Sequence, residues 1–567
     1  MAKSKKSAKD KKSSKKDKNK TEEIQTTEAV LNESEEDEVL SGPQDNSDHI
    51  QGDDINPYDL VPYESYPYPV THPTHLNTIA TIFGVKTPDI KTARVLELGC
   101  AGGGNLMALA NDFPDAEFVG IDLSKDQIER GKEHSNNLGL QNLTLEHLDI
   151  TDFDDKRGKF DYIICHGVFS WVPDHVADKI LEICEKQLTP EGIAVISYNC
   201  LPGWSAVRSV RDMMVYHTER FNQPEEKVKQ ARMLLDFLTE NTPKNSPYHS
   251  ILEHEKAILG RTNKDYIVHE YLEDVNKQYY FHEFMSLAHS HNLQYLGDTH
   301  LSSMFTGNMP QKAAEKLRAV NDIIQQEQYM DYIRNRRFRY TILTSRDREV
   351  KRKIEADVVY DLYIRSDFAP SSPIANDDTA VQFLRAGKAG PITISDAGTK
   401  AVFAKIAAAK GAPVKIEPIV NEVAKDYNLD AITLKNSIQS NIVRLALNGL
   451  IKLTTEPAQW VNKVSEKPKA YKLAQYQGGL SNQSWITNAE RRRIKINRMT
   501  GKIISLADGS RTVPEIVDET TTFVKNSKLK VMSDGIEVTE PDAIRKSIEN
   551  IVSNTLQDAA AKGIIIA

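Results

Sequence analysis

Residues 94–105 read Arg-Val-Leu-Glu-Leu-Gly-Cys-Ala-Gly-Gly-Gly-Asn, and this stretch decides the fold. Its apolar half predicts a short buried strand, its glycines predict a tight turn, and a helix is expected from Asn105 to Asn111. A strand that feeds a helix through a glycine-rich turn is typical of sheets that bind a ligand at the carboxyl ends of their strands. The candidate ligand-binding residues of this turn are Glu97, Gly99, Ala101, Gly103 and Asn105.

Strands and helices alternate on both sides of the turn, which predicts an α/β fold with a doubly wound parallel sheet. The expected strands are 94–99, 117–122, 143–148, 160–165 and 192–198. The expected helices are 74–83, 105–111, 124–137 and 177–187, the third of them capped by Ser124.

The turn departs from the dinucleotide-binding pattern Gly-x-Gly-x-x-Gly, because Ala101 stands where a glycine is needed and residues 102–104 are consecutive glycines. Glu97 at the strand end would also repel a phosphate, whereas it suits a cationic ligand or an ammonium group. S-adenosylmethionine (SAM) is such a ligand, with a sulfonium, an amino-acid moiety and no phosphate.

Two further acids follow neighbouring strands. Asp122 ends the second strand, where a carboxylate can accept hydrogen bonds from both ribose hydroxyls. Asp149 follows the third strand, where it can accept from an adenine amino group. With their neighbours Leu123 and Ile150 they complete the expected cofactor site. These motifs together favour a methyltransferase over a dinucleotide enzyme.

The segment after the fourth strand supplies the candidate catalytic side chains. His166 is expected to contact the cofactor or to relay a proton, although a structural hydrogen-bonding role is the alternative. Trp171 and Phe169 could line the substrate channel, or simply pack in the core. Further hydroxyl and amide groups are expected from Tyr66, Tyr68, Tyr198 and Asn199, and the aromatic residues Tyr63 and Tyr66 could instead only fasten the N-terminal segment over the sheet.

Several motifs outside the glycine turn carry a resemblance to a known family. They are Tyr63-Glu-Ser-Tyr-Pro-Tyr68, His166-Gly-Val-Phe-Ser-Trp-Val-Pro173, Tyr198-Asn-Cys-Leu-Pro-Gly-Trp204, His269-Glu-Tyr-Leu-Glu273, Tyr280-Phe-His-Glu-Phe284 and Arg334-Asn-Arg-Arg-Phe-Arg339. From about residue 56 onward the chain resembles class I methyltransferases with a methyltransferase regulatory domain, the group that includes rickettsial protein lysine methyltransferases of outer membrane protein B. Ala101 departs from the general methyltransferase glycine pattern but is similar to what this group tolerates.

The resemblance implies SAM as cofactor, a helical domain used for homodimerisation, and a C-terminal region that helps to hold a protein substrate through its lysines. We expect five segments. They are a disordered lysine-rich then acidic tail (1–55), a SAM-binding methyltransferase domain (56–215), a helical regulatory domain (216–345), a winged-helix-like middle domain (346–465) and a winged-helix-like C-terminal domain (466–567).

Composition narrows the function classes. The net charge is −8, yet residues 1–20 contain ten lysines and residues 21–54 contain twelve acids. No apolar run reaches the roughly 18–20 residues of a membrane span and no signal peptide is recognisable, so we expect a cytoplasmic protein. The four cysteines predict no disulfide framework, and the histidine spacing predicts no metal site. The rivals are a nucleic-acid methyltransferase, which the net charge disfavours, a small-molecule methyltransferase, and a SAM-binding regulator without catalysis.

Overall fold

The computed structural model describes residues 65–262, 264–273, 275–385, 390–457, 459–527, 532–533, 536–537 and 539–566. The expected tail (1–55) and Tyr63 lie outside these residues. The strands that build or adjoin the central sheet are β1 (Arg94–Leu98), β2 (Glu117–Asp122), β3 (Leu143–His147), β4 (Phe160–Cys165), β5 (Leu188–Asn199), β6 (Leu293–Asp298) and β7 (Phe338–Ser345). The helices up to β7 are α1 (Pro73–Ile82), α2 (Gly104–Asp112), α3 (Lys125–Leu138), α4 (Asp174–Gln187), α5 (Trp204–Thr218), α6 (Pro224–Asn241), α7 (Pro247–Leu259), α8 (Lys264–Ile267), α9 (Phe281–Ser290), α10 (Gln311–Arg318) and α11 (Ile323–Arg334).

The central sheet has seven strands in the order β3-β2-β1-β4-β5-β7-β6. The first five are parallel, and β7 runs antiparallel to both β5 and β6. The strand order reverses between β1 and β4, and side chains at the carboxyl ends of these two strands therefore border one crevice. The predicted α/β, doubly wound fold is confirmed.

Two of the seven strands come from a region that the sequence analysis expected to be helical. β6 and β7 lie within 216–345, and β7 inserts between β5 and the edge strand β6. Four intervening short helical segments separate the two strands in the chain, and this spacing hides their pairing in the sequence. The sequence pattern also predicts long helices near 205–240 and 307–330. In the structure each of these is divided into two helices, α5 with α6 and α10 with α11.

Both faces of the sheet are buried, as a parallel sheet between helices requires. One apolar cluster joins the sheet to α1, α2 and α3 through side chains such as Leu76, Leu106 and Ile128. The other joins it to α4 and α9 through side chains such as Ile180 and Phe284. The predicted cap of α3 is present, because the Ser124 side chain accepts a hydrogen bond from the Gln127 N–H.

The arginine-rich stretch 334–339 folds into buried ion pairs. Arg339 is fully buried and donates to Asp331 at 2.7 and 2.8 Å and to Glu327 at 2.9 Å. Arg336 donates to Asp298 at 2.6 Å, which ties the start of β7 to the end of β6. These guanidinium groups are therefore engaged within the protein and do not form a surface for phosphate.

Beyond β7 the chain forms two smaller blocks. The middle block contains β8 (Tyr363–Arg365), β9 (Phe368–Pro370), β10 (Val381–Arg385), β11 (Ile392–Ile394), α12 (Ala397–Ala408), β12 (Val414–Lys415), α13 (Ile416–Asp426), α14 (Ala431–Leu447) and β13 (Lys452–Thr454). The C-terminal block contains β14 (Lys469–Ala470), α15 (Lys472–Gly479), β15 (Trp485–Thr487), β16 (Arg493–Lys495), α16 (Arg498–Leu506), α17 (Val513–Asn526), β17 (Met532–Ser533), β18 (Ile536–Glu537), α18 (Pro541–Ala561) and β19 (Ile565–Ile566).

The C-terminal block shares its apolar core with the α2 side of the sheet, where Tyr471, Leu473 and Ile486 continue the cluster around Leu106. Among the helices of the described ranges, none combines the length and the apolar character needed to cross a bilayer.

Candidate active site

The glycine turn between β1 and α2 is held by the neighbouring strand. The backbone N–H groups of Gly99 and Cys100 both donate to the Ile121 carbonyl, at 2.9 and 3.0 Å. Gly103 has φ 72° and stands immediately before α2, a left-handed conformation that glycine adopts without strain. Ala101 is also left-handed, with φ 49°, and its N–H points to Asp122. The turn thus presents backbone at the N-terminus of α2.

Glu97 lies at the bottom of this turn with 4% of its surface exposed. Its Oε1 accepts a hydrogen bond from Asn105 Nδ2 at 2.9 Å, whereas its Oε2 is buried without a hydrogen-bond partner among the described residues. Burial, together with the nearby Asp122 charge, raises the pKa of Glu97 to about 8, although the hydrogen bond from Asn105 lowers it in part. A buried carboxylate oxygen without a donor is an acceptor that a ligand can satisfy.

Asp122 at the end of β2 organises the opposite wall. One carboxylate oxygen accepts from the Ala101 N–H at 2.7 Å and the other from the Ser124 N–H at 2.8 Å. These bonds fix the orientation of the carboxylate at the carboxyl edge of the sheet. A carboxylate accepts several hydrogen bonds, so a carboxylate held at this edge is the kind of group that can accept from the two hydroxyls of a ribose.

The residues expected around an adenine lie next to Asp122. Leu123 is 49% exposed, unusual for a leucine that follows a buried strand. Asp149 follows β3, and its Oδ1 accepts from both the backbone N–H and the hydroxyl of Thr151. Ile150 is partly buried against the core on the α4 side. Leu123 therefore offers an open apolar surface beside a carboxylate whose second oxygen is not used by Thr151.

The N-terminal segment Ser65–Thr71, which we call the arm, lies directly over the glycine turn. The Ser65 hydroxyl accepts from the Gly104 N–H at 2.7 Å, and the Tyr68 N–H donates to Asn105 Oδ1 at 3.0 Å. A Cβ at Gly104 would lie 2.3 Å from the Ser65 carbonyl oxygen, so only glycine permits this approach. The arm, Asn105 and Glu97 thus form one connected chain of hydrogen bonds.

His166 follows β4 and joins the arm through its ring. Its centroid lies 4.1 Å from that of Tyr68 in an edge-on arrangement, and its Nδ1 is 2.8 Å from the Ser197 hydroxyl. Burial lowers the pKa of His166 to about 4, so the imidazole is neutral at pH 7. Burial also raises the pKa of Tyr68 well above its usual value, and the Tyr66 hydroxyl adds to this effect. Both groups are therefore uncharged acceptors at neutral pH.

Trp171 and Tyr198 do not join this group. Trp171 packs with Trp204, at 6.4 Å between ring centroids, against the helical cluster of α5, α6 and α7. Tyr198 is fully buried, stacks on Phe284 at 4.1 Å and meets the Thr341 hydroxyl at 3.0 Å. Adjacent strand residues face opposite sides of a sheet, so Ser197 reaches His166 while Tyr198 enters the α9 side. We correct the catalytic assignment of Tyr198 accordingly and regard it as a core residue.

The sequence analysis missed three residues beside His166. Ser197 holds both the His166 ring and the Gly167 N–H, the latter at 2.9 Å. Phe338 and Tyr340 on β7 place their ring centroids 6.4 and 5.3 Å from that of His166. The alternation Phe338-Arg339-Tyr340, with the arginine buried, was the signal in the sequence. The partly exposed rings of Tyr68, His166, Phe338 and Tyr340, together called the ring cluster, border the crevice.

These groups fit SAM in their chemistry. The unsatisfied Oε2 of Glu97 suits an ammonium group, the Asp122 carboxylate suits a diol, and the open Leu123 side chain suits the face of a purine. In the described part of the chain, no group of three or more His, Cys, Asp or Glu side chains could hold a metal ion.

Comparison with known proteins identifies the parts of the chain. Residues 90–268 match the family described as "Methyltransferase domain", and residues 263–345 match the "Predicted methyltransferase regulatory domain". Residues 466–564 match "PKMT, C-terminal winged helix domain". The uncharacterized protein RP789 of Rickettsia prowazekii is 37% identical over 521 residues, which are 90% of this chain and 94% of that protein.

Solved structures agree with these matches. The structure of PKMT2 from Rickettsia typhi is similar with a TM-score of 0.81 and 33% identity, covering 89% of this chain and 100% of that one. The structure of the same protein in complex with AdoHcy matches with the same TM-score at 34% identity. Matches of this extent show that the chain belongs to the PKMT-like class I methyltransferases and uses S-adenosylmethionine as its cofactor.

Proposed function

We propose that the protein is a protein lysine N-methyltransferase that modifies a bacterial outer-membrane or surface protein. The observation that carries the proposal is the likeness to PKMT2, which extends over 89% of the chain and so includes the blocks beyond the cofactor sheet. The name PKMT denotes a protein lysine methyltransferase. The outer-membrane or surface location of the acceptor comes from the family resemblance and is the part that needs its own test.

The cofactor would be held by the residues already described, with Glu97 at its amino group, Asp122 at its ribose, and Leu123, Asp149 and Ile150 around its adenine. When bound, SAM supplies an electrophilic methyl group on a sulfonium. The backbone of Gly99, Ala101 and Gly103 would line its amino-acid moiety. We assign the ring cluster, with Tyr66 behind it, to the acceptor side.

The ring cluster suits a lysine side chain for two reasons. A free lysine has a pKa near 10.4 and must lose its proton before it can attack. Aromatic walls desolvate the ammonium group and so lower its pKa, while their faces attract the cation during entry. The neutral His166 and the protonated hydroxyl of Tyr68 can then accept or pass hydrogen bonds without placing a charge beside the sulfonium. Trp171, which packs against Trp204, would act farther from the cofactor than the ring cluster.

The rival acceptors lack comparable support. Three of the four arginines in 334–339 form internal ion pairs. The net charge of the chain is −8, so a nucleic-acid acceptor is disfavoured. A small-molecule acceptor would not account for the C-terminal domain at 466–564, which matches the PKMT winged helix domain. We further propose a cytoplasmic homodimer, for which the exposed Tyr216, Met233 and Phe237 of α5 and α6 offer an apolar surface.

The test is transfer of labelled methyl from SAM into a lysate of the host organism, with the wild type compared to Asp122→Ala. We expect label in protein, recovered as methyl-lysine after hydrolysis and absent with the variant. Label in nucleic acid or in a low-molecular-weight fraction would show that the acceptor is a nucleic acid or a small molecule and not a protein. Cofactor binding without any labelled product would identify a regulator. Gel filtration with light scattering tests the dimer, with Phe237→Glu expected to yield monomer.

A further inference from the structure

We infer that Arg493 is a positioning residue through which the C-terminal block holds the arm closed over the cofactor turn. Arg493 begins β16, which pairs with β15 in a hairpin spanning 485–495. This hairpin belongs to the PKMT winged-helix match, whereas the arm belongs to the opposite end of the chain. The inference concerns cofactor retention and holds whichever acceptor receives the methyl group.

The hairpin grips the arm through one aromatic ring. The guanidinium carbon of Arg493 lies 3.9 Å from the ring centroid of Tyr66, and Trp485 of the same hairpin meets that ring edge-on at 5.9 Å. Only 6% of Tyr66 is exposed. A cation stacked on a largely buried ring is at the stronger end of such contacts, because little water competes for it.

From Tyr66 a series of contacts leads to the Glu97 carboxylate. Tyr66 and Tyr68 have ring centroids 5.2 Å apart, and the Tyr68 N–H donates to Asn105 Oδ1. Asn105 uses its Nδ2 to hold Glu97 at 2.9 Å, the residue assigned to the amino group of the cofactor. A loosened arm would therefore release the side chain that orients Glu97.

The hairpin is itself anchored on the cofactor helix. Arg491 in its loop donates to Asp112 Oδ2 at 2.9 Å from Nε and makes an ion pair of 2.8 Å from Nη2. Tyr471 donates to the other oxygen of Asp112 at 2.7 Å. Asp112 is the last residue of α2, and Ser65 of the arm caps the first, Gly104. The hairpin thus holds one end of α2 directly and covers the other end through the arm.

The first experiment measures the dissociation constant of AdoHcy by calorimetry for Arg493→Ala. We expect it to rise about fivefold, because only part of the free energy of this cation–ring contact, about 1 kcal/mol, contributes to cofactor affinity. Arg493→Lys keeps a cation but loses the planar guanidinium that stacks on the ring, so its dissociation constant should fall between those of the wild type and Arg493→Ala. The matched control is Arg498→Ala, which removes an arginine stacked on Phe523 in the same block, 5.4 Å from the ring and away from the arm. It should bind AdoHcy like the wild type.

Two readouts separate positioning from general destabilisation. In a double-mutant cycle, Arg493→Ala should add nothing to Tyr66→Leu, because the arginine acts through that ring. In the unaltered protein, AdoHcy should slow amide hydrogen exchange in 485–495 as well as in the arm. The inference would be overturned if Arg493→Ala bound AdoHcy like the wild type, or if Arg498→Ala lost as much affinity. It would also be overturned if the effects of Arg493→Ala and Tyr66→Leu were additive, or if AdoHcy did not change amide hydrogen exchange in the hairpin.

Discussion

Glu97→Gln should weaken cofactor binding and abolish a proton release that accompanies it. With its pKa raised to about 8 by burial, Glu97 is about nine-tenths protonated in the free protein at pH 7. The ammonium group of the cofactor favours the ionised form, so binding should expel close to 0.9 of a proton at that pH. The affinity of the wild type should accordingly rise with pH until about pH 8 and then level off.

The size of the loss follows from two opposing contributions. A hydrogen bond to a charged partner contributes about 1.5–3 kcal/mol to binding. Deprotonating Glu97 at pH 7 costs about 1.4 kcal/mol, which offsets part of that contribution. The variant should therefore bind AdoHcy more weakly at pH 7, by a factor of up to about fifteen. The free energy of unfolding of Glu97→Gln should exceed that of the wild type at pH 7. Folding raises the pKa of Glu97 from its value in the unfolded chain to about 8, so the wild type loses stability as the pH rises through this range. Glutamine does not ionise, and the variant does not incur this loss.

Calorimetry in buffers of different ionisation enthalpy measures the proton release directly. The matched control is Glu270→Gln, since burial raises the pKa of Glu270 to about 7 in the regulatory region, away from the turn. That variant should retain both the release and the affinity. Equal heats in all buffers for the wild type, or a release that persists in Glu97→Gln, would refute the assignment of Glu97 to the amino group.

Three further predictions follow from the geometry. Gly104→Ala should lower both stability and AdoHcy affinity, because its Cβ would lie 2.3 Å from the Ser65 carbonyl oxygen and overpacking of this kind costs about 1–3 kcal/mol. Denaturant melts and calorimetry measure the two effects. Gly139→Ala is a control for affinity only, because its Cβ would meet nothing within 4 Å although its left-handed φ of 67° adds backbone strain. Ser197→Ala should destabilise the protein by about 1–3 kcal/mol and slow methyl transfer, because the Gly167 N–H loses its acceptor and the His166 ring loses its fixed orientation. The control Ser209→Ala, on the exposed side of α5, should change neither stability nor the rate of methyl transfer. Arg339→Leu should cost about 3–5 kcal/mol of unfolding free energy by stranding Asp331 and Glu327, with an unaltered thermal midpoint contradicting the buried ion-pair description.

The cofactor side of the molecule could be predicted from sequence because its signals are local. A strand, a glycine turn and a capped helix can each be recognised from about ten consecutive residues. Glu97, Asp122 and Ser124 occupy fixed positions relative to these elements. The predicted ends of the five parallel strands accordingly lie no more than four residues from the observed ends, and two of the strands match at both ends.

The acceptor side was less accessible because it depends on contacts between distant segments. β7 reaches His166 only after a connection that contains several helices. The alternation Phe338-Arg339-Tyr340 therefore indicated a strand but not that this strand lies beside His166. Tyr198 shows the reverse error, since a strand end near the crevice does not reveal which face each side chain takes. The contact of Arg493 with Tyr66 joins residues more than four hundred positions apart, and no period or motif encodes it.

The central claim is tested most directly by mass spectrometry of the protein that receives the label. The purified enzyme, SAM and the isolated acceptor should yield peptides in which methyl groups sit on lysine side-chain nitrogens, and Asp122→Ala should yield none. Methyl groups on carboxylates, on other side chains or on a non-protein acceptor would contradict lysine methylation while leaving the SAM-dependent methyltransferase assignment intact.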